Sequence, residues 1–307
     1  EGRAARAALE AARGRIGKAL GWDGEILFTS GASEAIALAL NGFDSVASAV
    51  EHDAVLAAAG DETRLSVDAN GNVQLGKIAK GRRYAIQQVN NETGVIQPLG
   101  ALATAIREGG GLLVADCSQG AGKLPLPDAD IIILSAHKLG GPPGLGALLV
   151  RDLALLRPTG GQEKGYRRGT ENLPAVAGLA AALEAGFDWL GEASRLRSKL
   201  DAAIEAAGGE VVASAAPRLA TIGSYRMPGI SASSQLIAFD LARISVSAGS
   251  ACSSGTLKAS HVLTAMGWDA KAAGEVVRVS FGPLTSEDDI ERFMAAWKAI
   301  RERAQAA

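Results

Sequence analysis

The sequence is poor in cysteine and in net charge. Its only two cysteines among 307 residues, Cys117 and Cys252, lie in unlike contexts, which excludes a disulfide framework. Unpaired thiols are typical of a reducing compartment, so we expect a cytoplasmic protein. The net charge of −2 gives no electrostatic footprint for nucleic acid or for an anionic membrane. We therefore expect neither of them as a partner.

Long apolar runs are also absent. None approaches the roughly 18 residues that a helix needs to cross a bilayer, and the stretch DIIILSAH is only as long as a strand. The first twenty residues mix Arg, Glu and Ala, unlike a secretory signal. The first residue is not methionine, so either the protein was cut or the numbering begins within a longer product. With 48% hydrophobic and 21% charged residues, the chain can bury a large core.

Short apolar runs alternate with helical patterns in the first part of the chain. Residues 3–20 have helical spacing, and Gly21 follows as a stop signal. Further helices are predicted from Glu34 and over residues 101–108. Buried strands that alternate with helices indicate a mostly parallel α/β sheet covered on both faces. The predicted strands cover residues 25–28, 46–50, 84–89, 112–115, 131–134 and 147–150.

Ala-rich helices replace this alternation after Leu173. They are predicted over residues 174–190 and 193–207, and a closing helix is predicted after Ser286. Between them, strands are predicted near 219–226, 243–248 and 275–281. We expect a large α/β domain over residues 1–190 and a smaller α+β domain over residues 191–307.

A turn of small residues at 29–33 joins the first predicted strand to an apolar helix. Small side chains such as Ala32 and Ser33 leave backbone N–H groups accessible at a helix N-terminus, where a phosphate can bind. A serine N-cap that begins the helix explains the same pattern. The turn alone therefore does not identify a ligand.

Asp116 follows a predicted buried strand, and Gln119 comes three residues later. Ligands of α/β proteins bind at the carboxyl ends of parallel strands. A carboxylate there can keep a pyridine nitrogen protonated, which makes the ring an electron sink. An aspartate that caps the next turn is the competing interpretation.

Lys138 also follows a predicted buried strand, within the segment Ser135-Ala136-His137-Lys138. Glycines follow it, and this is an unusual place for a solvated charge. Burial near cationic or apolar groups would make its amine nucleophilic towards an aldehyde. The glycines form no dinucleotide fingerprint, because they do not join a strand to a helix. A surface lysine at a strand end is the alternative.

Arg278 interrupts a strand pattern that is otherwise apolar. A buried charge is costly unless a carboxylate meets it, and the guanidinium fork suits such a partner. That carboxylate belongs either to a substrate or to the protein, for instance to Asp288.

Cys252 lies in a stretch of small polar residues and glycines at 247–255. Few of these side chains can pack, so we expect a mobile loop with an accessible thiol. Cys117, next to Asp116, is expected to pack as a small apolar residue.

Eight ordered segments of this chain resemble those of the cysteine desulfurases, which are pyridoxal-phosphate (PLP) enzymes of aminotransferase class V with fold type I. They are distributed along the chain from Phe28 to Ile290. The segments are FTSGASEAIALAL, EHDAVL, NNETGVIQPL, ADCSQGAGKLPL, SAHKLGGPPGLGALLVR, GGQEKGYRRGTEN, SAGSACSSGTLKASHVL and VRVSFGPLTSEDDI.

The resemblance implies a role for each matching residue. Lys138 holds PLP through a Schiff base, Asp116 contacts the pyridine nitrogen, and Gln119 donates to the ring hydroxyl. His52 stacks on the ring and moves protons, although ordinary packing at a helix N-terminus is the alternative. The phosphate is held by Ser33 with the Ala32 N–H, by Ser135 and His137, and by Thr170 from the other subunit of a homodimer. Asn91 and Arg278 bind the substrate carboxylate.

The implied reaction converts L-cysteine to L-alanine and leaves the sulfur as a persulfide on Cys252. A sulfur-acceptor protein, such as an iron–sulfur scaffold or a thiolation carrier, then receives it. The resemblance also implies a further segment before the first helix, which this numbering does not contain. A class V lyase or aminotransferase, including a selenocysteine lyase, and a non-catalytic member of the fold are the alternatives.

Overall fold

The computed structural model describes residues 2–60, 64–249 and 260–306. They form two compact units. The first unit holds the chain up to Ser66 together with Val73–Val89 and Gln97–Phe187. The second unit holds Val67–Asn72, Asn90–Ile96 and the chain from Asp188 onward. In the described ranges, no helix is long and apolar enough to cross a membrane.

The first unit is built on a seven-stranded sheet with the order β1-β7-β6-β5-β4-β2-β3. Strand β7 runs antiparallel to both of its neighbours, and the other six strands are parallel to one another. The predicted α/β fold with a mostly parallel sheet is thus confirmed. The strands are β1 Glu25–Thr29, β2 Ser45–Ser48, β3 Arg64–Leu65, β4 Arg83–Gln87, β5 Leu112–Asp116, β6 Ile131–Ser135 and β7 Gly146–Val150.

Helices pack against this sheet through apolar faces. In α4, the buried residues Leu99, Leu102, Ala103 and Ile106 have the spacing of one helix face. The middle strands β4, β5, β6 and β7 have buried residues at nearly every position, as expected for strands covered on both faces. The helices of this unit are α1 Gly2–Leu20, α2 Ala32–Leu40, α3 Asp53–Ala59, α4 Leu99–Glu108 and α5 Leu173–Glu184, with 3₁₀ turns at Ala136–Lys138, Leu153–Leu155 and Glu163–Gly165.

The carboxyl ends of four parallel strands carry polar residues. Ser48, Gln87, Asp116 and Ser135 are the last residues of β2, β4, β5 and β6. In the sheet register, Gln87 pairs with Asp116, which pairs with Ile133 on the other side. These strand ends therefore meet at one edge, where α/β proteins place their ligands.

The second unit contains a three-stranded antiparallel sheet and an aromatic core. The strands, in the order β10-β9-β8, are β8 Glu210–Val211, β9 Ile222–Arg226 and β10 Val276–Ser280. The rings of Phe239 and Phe293 stack with their centroids 4.8 Å apart, and Trp297 packs beside Phe293. The helices are α6 Leu190–Ala206, α7 Ala232–Leu241, α8 His261–Ala265, α9 Ala270–Ala273 and α10 Glu287–Ala306.

The strand predicted over residues 243–248 is wrong. Helix α7 ends there with two backbone bonds, from Arg243 N to Asp240 O and from Ile244 N to Phe239 O. Of the residues that follow, Ser247 alone pairs with β10, through an isolated bridge to Arg278. The alternating Ile-Ser-Val-Ser pattern fits a strand, but a single bridge does not make a ladder.

Candidate active site

Asp116 is a buried carboxyl group at the carboxyl end of β5. Its Oδ1 accepts a hydrogen bond from the backbone N of Ser118 at 2.8 Å, so it also caps the next turn. Burial raises the pKa of Asp116, while the Ser118 hydrogen bonds and the charges of His52 and Lys138 act in the opposite direction. The structure thus brings His52 and Lys138 within electrostatic range of Asp116.

His52 is the N-cap residue of α3, and its side chain is exposed. Its Nδ1 accepts a hydrogen bond from the backbone N of Ala54 at 3.1 Å. Because Nδ1 is the acceptor, the neutral imidazole carries its proton on Nε2. The alternative, a histidine at a helix N-terminus, describes the position of His52 correctly. The capping bond uses only Nδ1, so Nε2 is still available for chemistry.

Lys138 ends a 3₁₀ turn that directly follows β6. Its side chain is exposed, so the expectation of a buried lysine is wrong. Lys138 is distinguished by its charge and not by burial, because that charge lies close enough to three titratable neighbours to affect their pKa values. Together with burial, it lowers the pKa values of Lys123 and His137, and it opposes the burial effect on Asp116.

Ser135 and His137 form a pair beside Lys138. The Oγ of Ser135 lies 3.0 Å from Nδ1 of His137. Burial and the charge of Lys138 lower the pKa of His137, so its imidazole is neutral at neutral pH. The hydroxyl and the neutral ring are suitable hydrogen-bond donors for a phosphate.

The N-terminus of α2 lies close to this pair because of a glycine. Gly146, at the start of β7, pairs with Ser135 on one side and with Thr29 on the other. A Cβ at Gly146 would lie 2.5 Å from the carbonyl carbon of Gly31, so only glycine fits there. The strand end at Ser135 therefore neighbours the turn that begins α2.

Helix α2 begins at Ala32, two residues earlier than predicted, with Gly31 as its N-cap residue and no side-chain capping hydrogen bond. The alternative of a serine N-cap is therefore wrong, since Ser33 lies inside the first turn. The first N–H groups of α2 have no such cap, as a phosphate site requires.

Thr170 is exposed and precedes α5. The N-cap residue of that helix is Asn172, whose Oδ1 accepts from the backbone N of Ala175 at 3.2 Å. Thr170 therefore does not cap its own helix. Its contact with the phosphate of another subunit stays a prediction.

Two residues of this region were not predicted from the sequence. Glu51 is fully buried, and its Oε1 accepts hydrogen bonds from Ser48 Oγ at 2.5 Å and from Gln87 N at 2.8 Å. Burial, and to a smaller extent the charge of Asp116, raises the pKa of Glu51 to about 8. Lys123 donates from Nζ to the carbonyl oxygens of Gln119 and Lys138. Their position within matched segments was the only available signal.

Asn91 and Arg278 are neighbours within the second unit. Nη1 of Arg278 donates to the backbone O of Asn91 at 2.8 Å. Burial lowers the pKa of Arg278, and the charge of Glu92 opposes this effect. The alternative partner Asp288 is exposed at the start of α10, and among the described residues no carboxylate forms an ion pair with Arg278.

The Nε of Arg278 is buried without a hydrogen-bond partner in the described part of the chain. An incompletely bonded guanidinium fits a carboxylate ligand better than an internal ion pair.

Of the two cysteines, only Cys117 lies within the described residues, and Cys252 lies outside them. Cys117 is fully buried, and burial raises the pKa of its thiol well above the ordinary value, with the charge of Asp116 acting in the same direction. Cys117 therefore packs as an inert, small apolar group, as expected.

The donor set of the first unit fits PLP. Lys138 offers an amine for the aldehyde, Asp116 a buried carboxyl for the pyridine nitrogen, and the start of α2 uncapped N–H groups for the phosphate. Ser135 and His137 add further donors next to that helix start.

Comparison with known proteins gives the same assignment. The aminotransferase class-V family matches residues 1–293. The cysteine desulfurase of Bradyrhizobium diazoefficiens is 38% identical, over 99% of this chain and 85% of that protein. The cysteine desulfurase of Gluconacetobacter diazotrophicus is 36% identical, over 95% of this chain and 82% of that protein. The solved structure of a NifS-like protein from Rickettsia africae is 28% identical, with a TM-score of 0.88 over 98% of this chain and 89% of that one.

These matches extend over nearly the whole chain, and they agree with the sheet order and with the residues gathered at its carboxyl edge. The resemblance noted in the eight sequence segments is confirmed. This chain belongs to the aminotransferase class-V family and, within it, to the cysteine desulfurases.

Proposed function

We propose that this protein uses PLP to convert L-cysteine to L-alanine, and that it carries the released sulfur as a persulfide on Cys252. The observation that carries this proposal is the position of a buried carboxyl, Asp116, at the end of β5, with Lys138 in the turn after β6 and His52 both close enough to affect its pKa. Family membership supports the reaction, and the site residues are our own assignment.

Seven residues of the first unit would hold the cofactor. Lys138 binds its aldehyde carbon, and Gln119 donates to the ring hydroxyl. Asp116 pairs with the ring nitrogen, and such a pair offsets the cost of the buried carboxylate. The phosphate is bound by Ser33 with the Ala32 N–H, by Ser135 and by His137. When bound, PLP supplies an electron sink for the electrons released at the substrate α-carbon.

His52 would move protons through Nε2, because Nδ1 is engaged with the backbone of α3. This division of labour lets one histidine cap a helix and still present its other nitrogen to the reaction.

Arg278 and Asn91 would bind the carboxylate of L-cysteine. The buried, incompletely bonded guanidinium supports this role, since a carboxylate would satisfy the open Nε.

Sulfur transfer would be the work of Cys252. Its thiolate sulfur forms a bond with the substrate sulfur, and the substrate C–S bond breaks. The electron pair of that bond stays with the carbon, which takes up a proton and becomes the methyl group of alanine. The other cysteine, Cys117, is unsuited to this step because its buried thiol stays protonated.

The proposed assembly is a homodimer in which Thr170 contacts the phosphate of the other subunit. The proposed location is a reducing cytoplasm, where the persulfide passes to a sulfur-acceptor protein such as an iron–sulfur scaffold or a thiolation carrier.

Product analysis tests the function. The protein is incubated with PLP, L-cysteine and a dithiol reductant, and alanine and sulfide are quantified together. Equal amounts of the two products, with none from the Lys138→Ala variant, are expected. Formation of pyruvate and ammonia in place of alanine would contradict the proposal and indicate a lyase of another type.

A further inference from the structure

Lys123 lies in the turn that follows β5, and its ammonium group joins two turns of the proposed cofactor site. Its Nζ donates to the carbonyl O of Gln119 at 3.0 Å and to the carbonyl O of Lys138 at 2.8 Å. The first contact is local, four residues back along the chain. The second reaches a residue fifteen positions later, at the end of the next parallel strand. One side chain thus connects the turn after β5 with the turn after β6.

The surroundings of Lys123 disfavour its charged form, unlike those of an ordinary surface lysine. Burial and the charge of Lys138 lower the pKa of Lys123 to about 8, so the group is still mostly protonated at neutral pH. No carboxylate pairs with it in the ranges that the structure describes. A lysine that is half-buried next to another lysine needs compensation. The two carbonyl oxygens provide it, because hydrogen bonds from a charged donor are the stronger kind.

A simpler explanation would be a lysine that closes its own turn. The bond to Gln119 O alone would fit that explanation, since basic side chains often bond the last carbonyls of a helical turn. The bond to Lys138 O does not, because Lys138 lies in a different turn, the one that follows β6. The two hydrogen bonds of Lys123 therefore fix the position of one turn relative to the other.

We propose that Lys123 is a positioning residue for the cofactor: it holds the backbones of Gln119 and Lys138 so that the amide and the amine meet the same ring. This inference rests on the proposed function, because Lys138 has to bind PLP for its position to matter. It adds a residue whose own side chain contacts the cofactor-binding residues through their backbones.

Titration of the apo-protein with PLP tests the proposal. Lys123→Met removes both hydrogen bonds and keeps an unbranched stem of similar length. We expect its dissociation constant for PLP to rise by about ten- to a hundredfold, the loss expected for hydrogen bonds from a charged donor. Lys123→Arg keeps the charge and the donors and should restore the constant to within about threefold of the wild-type value.

Two further measurements separate positioning from folding. The apo-proteins should unfold at nearly the same temperature, and Lys18→Met, at an exposed lysine in the last turn of α1, should leave PLP binding unchanged. Borohydride reduction and peptide mass mapping then locate the bound cofactor in each variant. We expect it on Lys138 in all of them, at lower occupancy in Lys123→Met.

The proposal would be overturned by unchanged PLP binding in Lys123→Met. It would equally be overturned if the apo-protein lost stability in step with PLP affinity and Lys123→Arg restored neither, since Lys123 would then serve folding alone. A wild-type protein that takes up no PLP on Lys138 is a separate result, because it overturns the proposed function and this inference together.

Discussion

Burial raises the pKa values of two acids of the first unit, Asp116 and Glu51, whose surroundings differ. Asp116 lies close to His52 and Lys138, whose electrostatic effect opposes that of burial on its pKa. Glu51 receives two hydrogen bonds, but burial prevails and raises its pKa to about 8. At neutral pH, Glu51 therefore holds a proton. A neutral Glu51 adds no negative charge next to Asp116, which favours the proposed pairing of Asp116 with a cationic ring nitrogen.

Glu51→Gln should remove a pH dependence of stability. The folded protein keeps the Glu51 proton up to about pH 8, whereas an unfolded chain releases it near its ordinary pKa of 4.5. Stability is therefore full below the lower value and falls as the pH rises through the higher one, by on the order of a few kcal/mol. Thermal unfolding of the apo-protein between about pH 5 and about pH 9 measures this. The variant should show a flatter profile, and Asp288→Asn, at an exposed carboxylate, should follow the wild type. A wild-type profile for Glu51→Gln would mean that Glu51 is ionised in the folded protein.

His52→Asn should separate the two roles of the histidine. Asparagine is a good N-cap residue, so this variant should keep the stability of α3, whereas His52→Ala should lose about 1 kcal/mol. Both variants lack the imidazole and should lose turnover by about a hundredfold or more, as expected when a proton-transfer group is removed. Urea unfolding and steady-state rates provide the two readouts. Wild-type turnover in His52→Asn would restrict His52 to capping.

At the scale of elements, strand ends and a helix start make the proposed site. The ends of β5 and β6 were predicted to within one residue, because buried β-rich runs end abruptly at polar residues. The start of α2 was placed two residues late, since Ala32 and Ser33 fit a loop as well as a first turn. The contacts of Lys123 and Glu51 depend on which strands are neighbours, and the spacing of residues along the chain does not contain that information.

The second unit was less predictable for a related reason. Residues 243–248 have the alternation of a strand, but β10 bonds to only one of them, Ser247. The resemblance grouped Arg278 with Asn91, and the structure makes them neighbours although they are 187 positions apart. The alternative partner Asp288 is close in sequence but forms no ion pair with Arg278 in the described ranges.

Gly146→Ala should disturb the phosphate end of the site. The added Cβ would lie 2.5 Å from the carbonyl carbon of Gly31, so the start of α2 has to move. We expect a loss of about 1–3 kcal/mol in stability, as for other overpacked positions, and weaker PLP binding. Gly100→Ala, in α4 with open space around the added methyl group, should be neutral or stabilising. Unchanged PLP affinity in Gly146→Ala would show that α2 does not contact the phosphate.

At the scale of the whole molecule, the proposed residues fall in both compact units: Asp116 and Lys138 in the first, Asn91 and Arg278 in the second. A symmetric pair of chains allows each subunit to supply the same loop to its partner. Thr170 is suited to such an exchange because it is exposed and does not cap α5.

Mixing two inactive variants tests this exchange. If Thr170 acts on the other subunit, a dimer of one Thr170→Ala chain and one Lys138→Ala chain places both lesions in the same site and leaves the other site intact. An equal mixture should then recover about a quarter of the wild-type activity, because half of the dimers are mixed and each has one intact site. Light scattering confirms the dimer, and differently tagged chains confirm subunit exchange. No recovery despite exchange would place Thr170 in its own subunit's site or outside the site.

The central claim is that Lys138 holds the cofactor and that Cys252 takes the sulfur. The most direct test is to react the PLP-loaded protein with ³⁴S-labelled L-cysteine, trap one portion with an alkylating reagent and reduce another with borohydride, and map both by peptide mass spectrometry. The chain provides internal controls, since Lys123 lies next to Lys138 and Cys117 is the other thiol. We predict the reduced cofactor on the peptide with Lys138 and the labelled sulfur on the peptide with Cys252. Cofactor on Lys123, or labelled sulfur on Cys117, would contradict the claim.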